Sequence, residues 1–256
     1  MVTENPSSDQ PITPPEAPRA RNSWTSWDVA VFMLTLGGFV IGFFLLQLVA
    51  LGAVTLVSFR GESADAMRAL AGALFANLAF IGLAAAVVRF VYGRRFFEEM
   101  RWRRRYEATN ASLVVRGAGL AFLAMVVGVL FPPSSSPPIE RLLNTPQAVM
   151  AFAIFGVGMA PFLEEMIFRG ILFRVLEEIG GSSITVRTTA LLFALLHVPQ
   201  LLGSYAGMLM IFAVGYVLSD LRERTGSMIP PLIVHTAYNG LLFLAFALST
   251  LVQETV

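Results

Sequence analysis

Apolar residues run along this chain in long blocks, not in the short alternations of a half-buried strand. Seven blocks stand out, at roughly 28–58, 67–92, 111–131, 148–172, 186–202, 204–221 and 228–250. A helix needs about 20 predominantly apolar residues to cross a bilayer, so each block reads as a membrane span. The first is long enough to be tilted or to continue past the bilayer. The fifth is short, which leaves room for an eighth span. The predicted fold is therefore an all-α, polytopic transmembrane helical bundle.

The polar stretches punctuate these blocks. Residues 1–23 carry five prolines and few apolar side chains, which predicts a disordered tail. No short apolar core with a small-residue cleavage site follows a basic start, so the tail does not read as a secretory signal. Trp24 and Trp27 stand where interfacial anchors belong. Residues 24–256 form the transmembrane domain. Pro132, Pro133, Pro137 and Pro138 interrupt the chain after the third block, and Pro161 predicts a kink in the fourth. Gly38 and Gly42 form a GxxxG pair, read as packing glue within the fold.

Composition sharpens the class. Hydrophobic residues make up 56% and charged residues 14%, against about 25% charged in ordinary soluble domains. That excludes a disordered chain, a soluble enzyme with a polar shell and a nucleic-acid binder. The absence of cysteine excludes disulfides, thiol catalysis and Cys-ligated metals.

All 18 basic residues are arginine. Twelve of them (Arg19, Arg21, Arg94, Arg95, Arg101, Arg103, Arg104, Arg105, Arg174, Arg187, Arg222 and Arg224) fall on one side of the seven-span topology, and Arg60, Arg68 and Arg141 on the other. Positive loops stay inside, so the N-terminus is expected in the cytoplasm. The run from Arg94 to Arg105 reads as a topological anchor touching anionic lipid. Glu177 and Glu178 fall in a cytoplasmic loop and read as solvated.

A charge inside a span needs a reason. The main exceptions to an apolar interior are Glu164, Glu165 and Arg169 in the fourth span. The two histidines of the chain, His197 and His235, also fall inside spans. At 1.5 Å per residue, Glu164 lies ~12 Å, His197 ~16 Å, His235 ~10 Å and Asn239 ~16 Å from the cytoplasmic ends of their spans. Three helices thus bring rare polar groups to similar depth, which predicts one water-accessible site. Glu165 and Arg169 are four apart in the order that favours an ion pair. Glu164 projects about 100° away from Glu165, so one carboxylate can pair while the other stays free. His235 and Asn239 share a face, and Phe193 is placed to shield one side of His197.

Glu164-Glu165-Met166-Ile167-Phe168-Arg169 is an EExxxR motif, Phe193 to His197 is FxxxH, and His235 to Asn239 is HxxxN. In this order, on separate apolar helices, they resemble the CPBP (Abi) family of intramembrane proteases, which includes the type II CAAX prenyl proteases and bacteriocin-processing proteins. The resemblance covers roughly residues 148–245. It implies a glutamate-dependent endopeptidase in an eight-span fold. Glu164 would be the general base that activates water, and His197 would hold and polarise that water. His235 and Asn239 would donate to the tetrahedral oxyanion, while Glu165 and Arg169 would shape the site and tune Glu164. The expected mechanism uses no metal or other cofactor, with zinc as the alternative, because the family has also been labelled as metalloproteases.

Two other classes stay open on the residues alone. Glu164, Glu165, His197 and His235 could make a zinc site, although no HExxH is present. The bundle could also be a non-catalytic scaffold, an immunity protein or a transporter, but its halves show none of the self-similarity of transporter repeats. The expected partners are a peptide or protein substrate, lipidated or membrane-anchored, and membrane lipid. Exclusive use of arginine with abundant Ala, Gly and Leu points to a GC-rich bacterial genome. The expected location is the bacterial inner membrane, with the site toward the cytoplasm.

Overall fold

The computed structural model describes residues 26–55, 61–90, 93, 95–102, 106–135, 142–143 and 145–254. The N-terminal tail, Trp24, the side chain of Trp27, Pro137, Pro138 and the arginines at 19, 21, 60, 94, 103–105 and 141 lie outside the described residues. Among the described residues every regular element is helical. We number them α1 (Ser26–Thr55), α2 (Ala64–Phe90), α3 (Phe96–Glu99), α4 (Asn110–Leu130), α5 (Pro146–Gly180), α6 (Ser182–His197), α7 (Tyr205–Thr225) and α8 (Ile229–Glu254).

Local chemistry sets the boundaries. Thr109, Thr145 and Ser204 cap α4, α5 and α7, each accepting a backbone N–H from three residues on. Gly181 joins α5 to α6 at φ +71°, ψ 170°, a conformation open essentially to glycine alone. Gly226 closes α7 in the left-handed conformation and donates to Arg222 O and Glu223 O. Pro199 follows the end of α6, which passes into a single 3-10 turn over Val198–Gln200.

Among the described residues five helices are long and apolar enough to cross a membrane: α2, α4, α5, α7 and α8. The described apolar part of α1, Gly37–Ala50, is shorter. The predicted fifth span at 186–202 becomes α6, which starts and ends earlier and has 16 residues, short for a full crossing. Large apolar side chains lie exposed along the bundle, among them Leu34, Leu48, Phe90, Val129 and Leu209. Surfaces of this kind belong in lipid, and the helices are those of a multi-pass membrane protein.

Among the described residues three apolar cores hold the bundle. Ile167, Phe168, Leu172, Leu176, Leu192 and Phe193 join α5 to α6, with Phe39, Phe43 and Phe80 of α1 and α2 packed outside them. Leu113, Ala121, Val214, Leu218, Leu221, Val234 and Tyr238 join α4, α7 and α8. Met100, Met166 and Met228 fill the junction beneath α5. A Cβ at Gly117 would lie 2.7 Å from Ala237 Cβ, so glycine there lets α4 and α8 approach closely. By contrast, a Cβ at Gly38 or Gly42 would meet nothing within 4 Å. Among the described residues the GxxxG pair is therefore not an internal seam, because its face of α1 turns away from α2.

The helix α5 is not uniform. It widens into π-helix over Ile154–Met159 and again over Met166–Leu172, on either side of the two glutamates. Ala160 N–H donates to Phe155 O, and Phe173 N–H to Phe168 O, five residues back in each case. Single π turns of this kind cluster at functional sites, because they rotate the following residues out of α register.

Candidate active site

The short α segment between the π turns carries Glu164 and Glu165, one turn after Pro161. Adjacent residues point about 100° apart on a helix, and the two carboxylates meet different surroundings. Glu165 is fully buried. Glu164 keeps 23% of its side chain exposed.

Glu165 binds in two directions through one oxygen. Its Oε1 lies 3.0 Å from an Arg169 guanidinium nitrogen and 2.9 Å from His235 Nδ1. Arg169 is also fully buried and donates a second hydrogen bond, of 2.8 Å, to Gly215 O on α7. Its guanidinium carbon sits 4.6 Å from the Phe193 ring centroid, in cation–π range. A buried Arg without an opposite charge would be costly, and here the carboxylate, a carbonyl and a ring face all meet it.

Phe193 stands at the centre of the aromatic contacts. Its ring centroid is 4.5 Å from that of His197, 5.7 Å from that of His235 and 5.1 Å from that of Phe168. A Cβ at Gly215 would come within 3.1 Å of this ring, so the glycine lets α7 pass close enough for its carbonyl to reach Arg169.

Hydrogen-bond chemistry fixes both imidazoles. His197 Nδ1 lies 2.7 Å from Phe193 O. A carbonyl only accepts, so Nδ1 carries the proton. His235 Nδ1 faces the Glu165 carboxylate, which is paired with Arg169 and likewise accepts. Both rings therefore present Nε2 to the remaining space, where Glu164 Oε2 lies 3.9 Å from His197 Nε2 and 3.7 Å from His235 Nε2. These gaps are too long for direct hydrogen bonds.

Asn239, one turn beyond His235 on α8, donates from Nδ2 to Gly156 O at 2.7 Å. Six of the seven residues singled out by the sequence thus contact one another across α5, α6 and α8, while Asn239, one turn beyond His235, is tied to Gly156. Two positions differ from expectation. Glu165 acts on His235 and Arg169, with no bond to Glu164. His197 ends its helix and does not lie in mid-span, because Pro199 stops α6.

The sequence reading missed Arg222. It counted Arg222 with Arg224 as a loop charge, yet Arg222 is fully buried in the last turn of α7. Its Nε donates to Arg169 O at 3.0 Å, and its guanidinium lies over the Phe173 ring. The signal was available: Leu218, Leu221 and Arg222 are three to four apart, so Arg222 extends the apolar face of α7, whereas Arg224 does not. Glu177 and Glu178 are also not loop residues. They end α5, where Arg101 lies 3.6 Å from Glu177, and Arg174 lies 2.7 Å from Glu178 and 3.6 Å from Glu99.

No group of three or more His, Asp or Glu among the described residues is arranged to hold a metal ion. Zinc bonds of 2.0–2.1 Å in a tetrahedron set donor atoms about 3.4 Å apart. The separations of 3.7 and 3.9 Å around Glu164 Oε2 are wider, and Glu165 Oε1 is already bound to Arg169 and His235.

Residues 146–241 match the family model described as type II CAAX prenyl endopeptidase Rce1-like. This stretch contains every residue of the site. The chain is also similar to the membrane-embedded CAAX protease MroQ of Staphylococcus aureus (strain USA300), with 32% identity over 112 residues. That match covers 41% of this chain and 43% of the relative, so the chain spans less than half the length of the curated relative it matches. No solved structure matches the chain significantly. The resemblance read from the three motifs is borne out over the segment that carries them.

Proposed function

We propose that this protein is an intramembrane endopeptidase that hydrolyses a peptide bond with water activated by Glu164, without a metal or other cofactor. The observation that carries this reading is the convergence of Glu164 Oε2 on the Nε2 atoms of both histidines, at 3.9 and 3.7 Å. The Rce1-like segment supports the reaction class.

A water donates one hydrogen to Glu164 and the other to His197 Nε2, which has a lone pair because its proton is on Nδ1. As the water oxygen attacks the scissile carbonyl carbon, Glu164 takes the first proton and the carbonyl π pair moves to oxygen. The oxyanion accepts from His235 Nε2–H and from the second N–H of Asn239 Nδ2. For His235 to donate there, the ring must carry two protons, and Glu165 supplies the opposing charge at Nδ1. Collapse breaks the C–N bond, and the leaving nitrogen takes the proton from Glu164. Donors already aimed at a developing oxyanion cost no reorganisation during the reaction.

The substrate class we propose is a membrane-anchored or lipidated peptide, met in the bacterial plasma membrane from its cytoplasmic side. The Arg asymmetry supports this orientation: with the buried Arg222 removed, eleven arginines still face three.

The test compares peptide termini in membranes holding the wild type or Glu164→Gln at matched expression. A new terminus made only by the wild type is expected and would identify a substrate. Identical termini, with a cellular phenotype that Glu164→Gln retains, would overturn the peptidase in favour of a scaffold or immunity role.

A further inference from the structure

The π turn before the glutamates has a consequence for Asn239. Within Ile154–Met159, Ala160 N–H is committed to Phe155 O, five residues back. In the same register, Gly156 O should accept from residue 161. That residue is Pro161, which has no N–H. Gly156 O is thus left without a donor from its own helix, on the side facing α8. There Asn239 Nδ2 donates to it at 2.7 Å, and Val157 Cγ1 packs 3.6 Å from the place a Cβ of Gly240 would take. A carbonyl can only accept, so this bond also fixes which end of the Asn239 amide faces α5.

We infer that Pro161 is a positioning residue: by leaving Gly156 O open, it anchors Nδ2 of Asn239 and aims the second N–H of that amide at the reacting centre. A proline anywhere in the span would kink it. Only one five residues after Gly156 frees this carbonyl. The kinetic part of the inference rests on the peptidase reading, while the anchoring itself does not.

Pro161→Ala restores an N–H at the position that competes with Asn239 for Gly156 O. Alanine is the better helix former, so the helix is retained. Pro161→Gly restores the same N–H with no side chain at all and must behave alike. The first readout needs no activity. With asparagine labelled by 15N, the Asn239 side-chain amide is assigned by its loss in Asn239→Ala. Its hydrogen exchange should be slow in the wild type and at least about tenfold faster in both Pro161 variants. The second readout is kinetic. Pro161→Ala should lower kcat about tenfold with KM within about twofold, and should add nothing in the Asn239→Ala background.

Unchanged exchange in the Pro161 variants overturns the inference. So does a kcat loss that persists in full without the Asn239 amide, because the proline would then act through the kink. Faster exchange in a protein whose wild type cleaves nothing supports the anchor and overturns the peptidase reading instead.

Discussion

Glu165 Oε1 and His235 Nδ1 lie 2.9 Å apart across the contact between α5 and α8, and the same oxygen holds Arg169 at 3.0 Å. One carboxylate therefore neutralises a buried cation and orients a histidine. Glu165→Ala would strip Arg169 of its counter-charge and His235 of its acceptor. Losing one partner of a buried pair costs about 3–5 kcal/mol, whereas replacing both with apolar groups is often neutral. Thermal unfolding in detergent should show Glu165→Ala and Arg169→Met each strongly destabilised. The double variant should be more stable than Glu165→Ala alone. Simple addition of the two losses would show that the pair does not act as a unit.

Glu164 makes no direct hydrogen bond to either histidine and keeps part of its surface open. Glu164→Gln should leave the melting temperature unchanged and lower cleavage by about 10²–10⁴-fold, the usual contribution of a general base. Equal losses of stability and activity would move Glu164 into the structural framework beside Glu165. The sequence separated these neighbours correctly by face: the helical angle and the i, i+4 arginine decide which glutamate pairs. It could not show that Glu165 also reaches His235, because that bond spans 70 residues and depends on how α8 packs against α5.

Asn239 faces a carbonyl, and this sets the order of its variants. Asn239→Ala should reduce kcat by about 10²–10³-fold, as loss of an oxyanion donor does. Asn239→Asp keeps the size but turns an acceptor toward Gly156 O at the present 2.7 Å. It should be less stable than the alanine variant, because two acceptors repel where one absent donor only leaves a carbonyl unsatisfied. Steady-state kinetics and melting curves on the three proteins test the order, and an aspartate variant as active as the wild type would remove Asn239 from the reaction.

The separations around Glu164 Oε2 are wider than a tetrahedral zinc would set, and Glu165 Oε1 is already committed to Arg169 and His235. Treating purified, active protein with a strong chelator should leave its cleavage rate intact, and elemental analysis should find no stoichiometric transition metal. Loss of activity on chelation, restored by zinc alone, would replace the metal-free mechanism.

The span pattern shows how far the sequence can be read. Helices α2, α4, α7 and α8 begin and end within a few residues of their apolar blocks, because loops and caps there carry polar side chains. The fourth apolar block ends at 172, yet α5 continues to Gly180. Its last two turns carry Arg174, Glu177 and Glu178, which look like a loop in a hydropathy pattern but close ion pairs with Arg101 and Glu99. The π turns over Ile154–Met159 and Met166–Leu172 leave no mark in the apolar pattern.

Arg222 and Arg224 are two residues apart and equal in any count of positive charge, but the fold separates them. Arg222 is fully buried, with Nε 3.0 Å from Arg169 O, while the Arg224 side chain is 73% exposed and bonds Asp220 on its own helix. Arg222→Lys removes the planar fork and its Nε donor, and a compact ammonium cannot reproduce that geometry. It should cost about 1–3 kcal/mol, the range for a buried group left unsatisfied. Because Arg169 O lies in the π turn that follows the glutamates, the same variant should also lower cleavage. Arg224→Ala should change neither melting temperature nor rate. If the two variants behave alike, the bond from Arg222 to the Arg169 carbonyl contributes nothing, and both arginines serve only as topological charges.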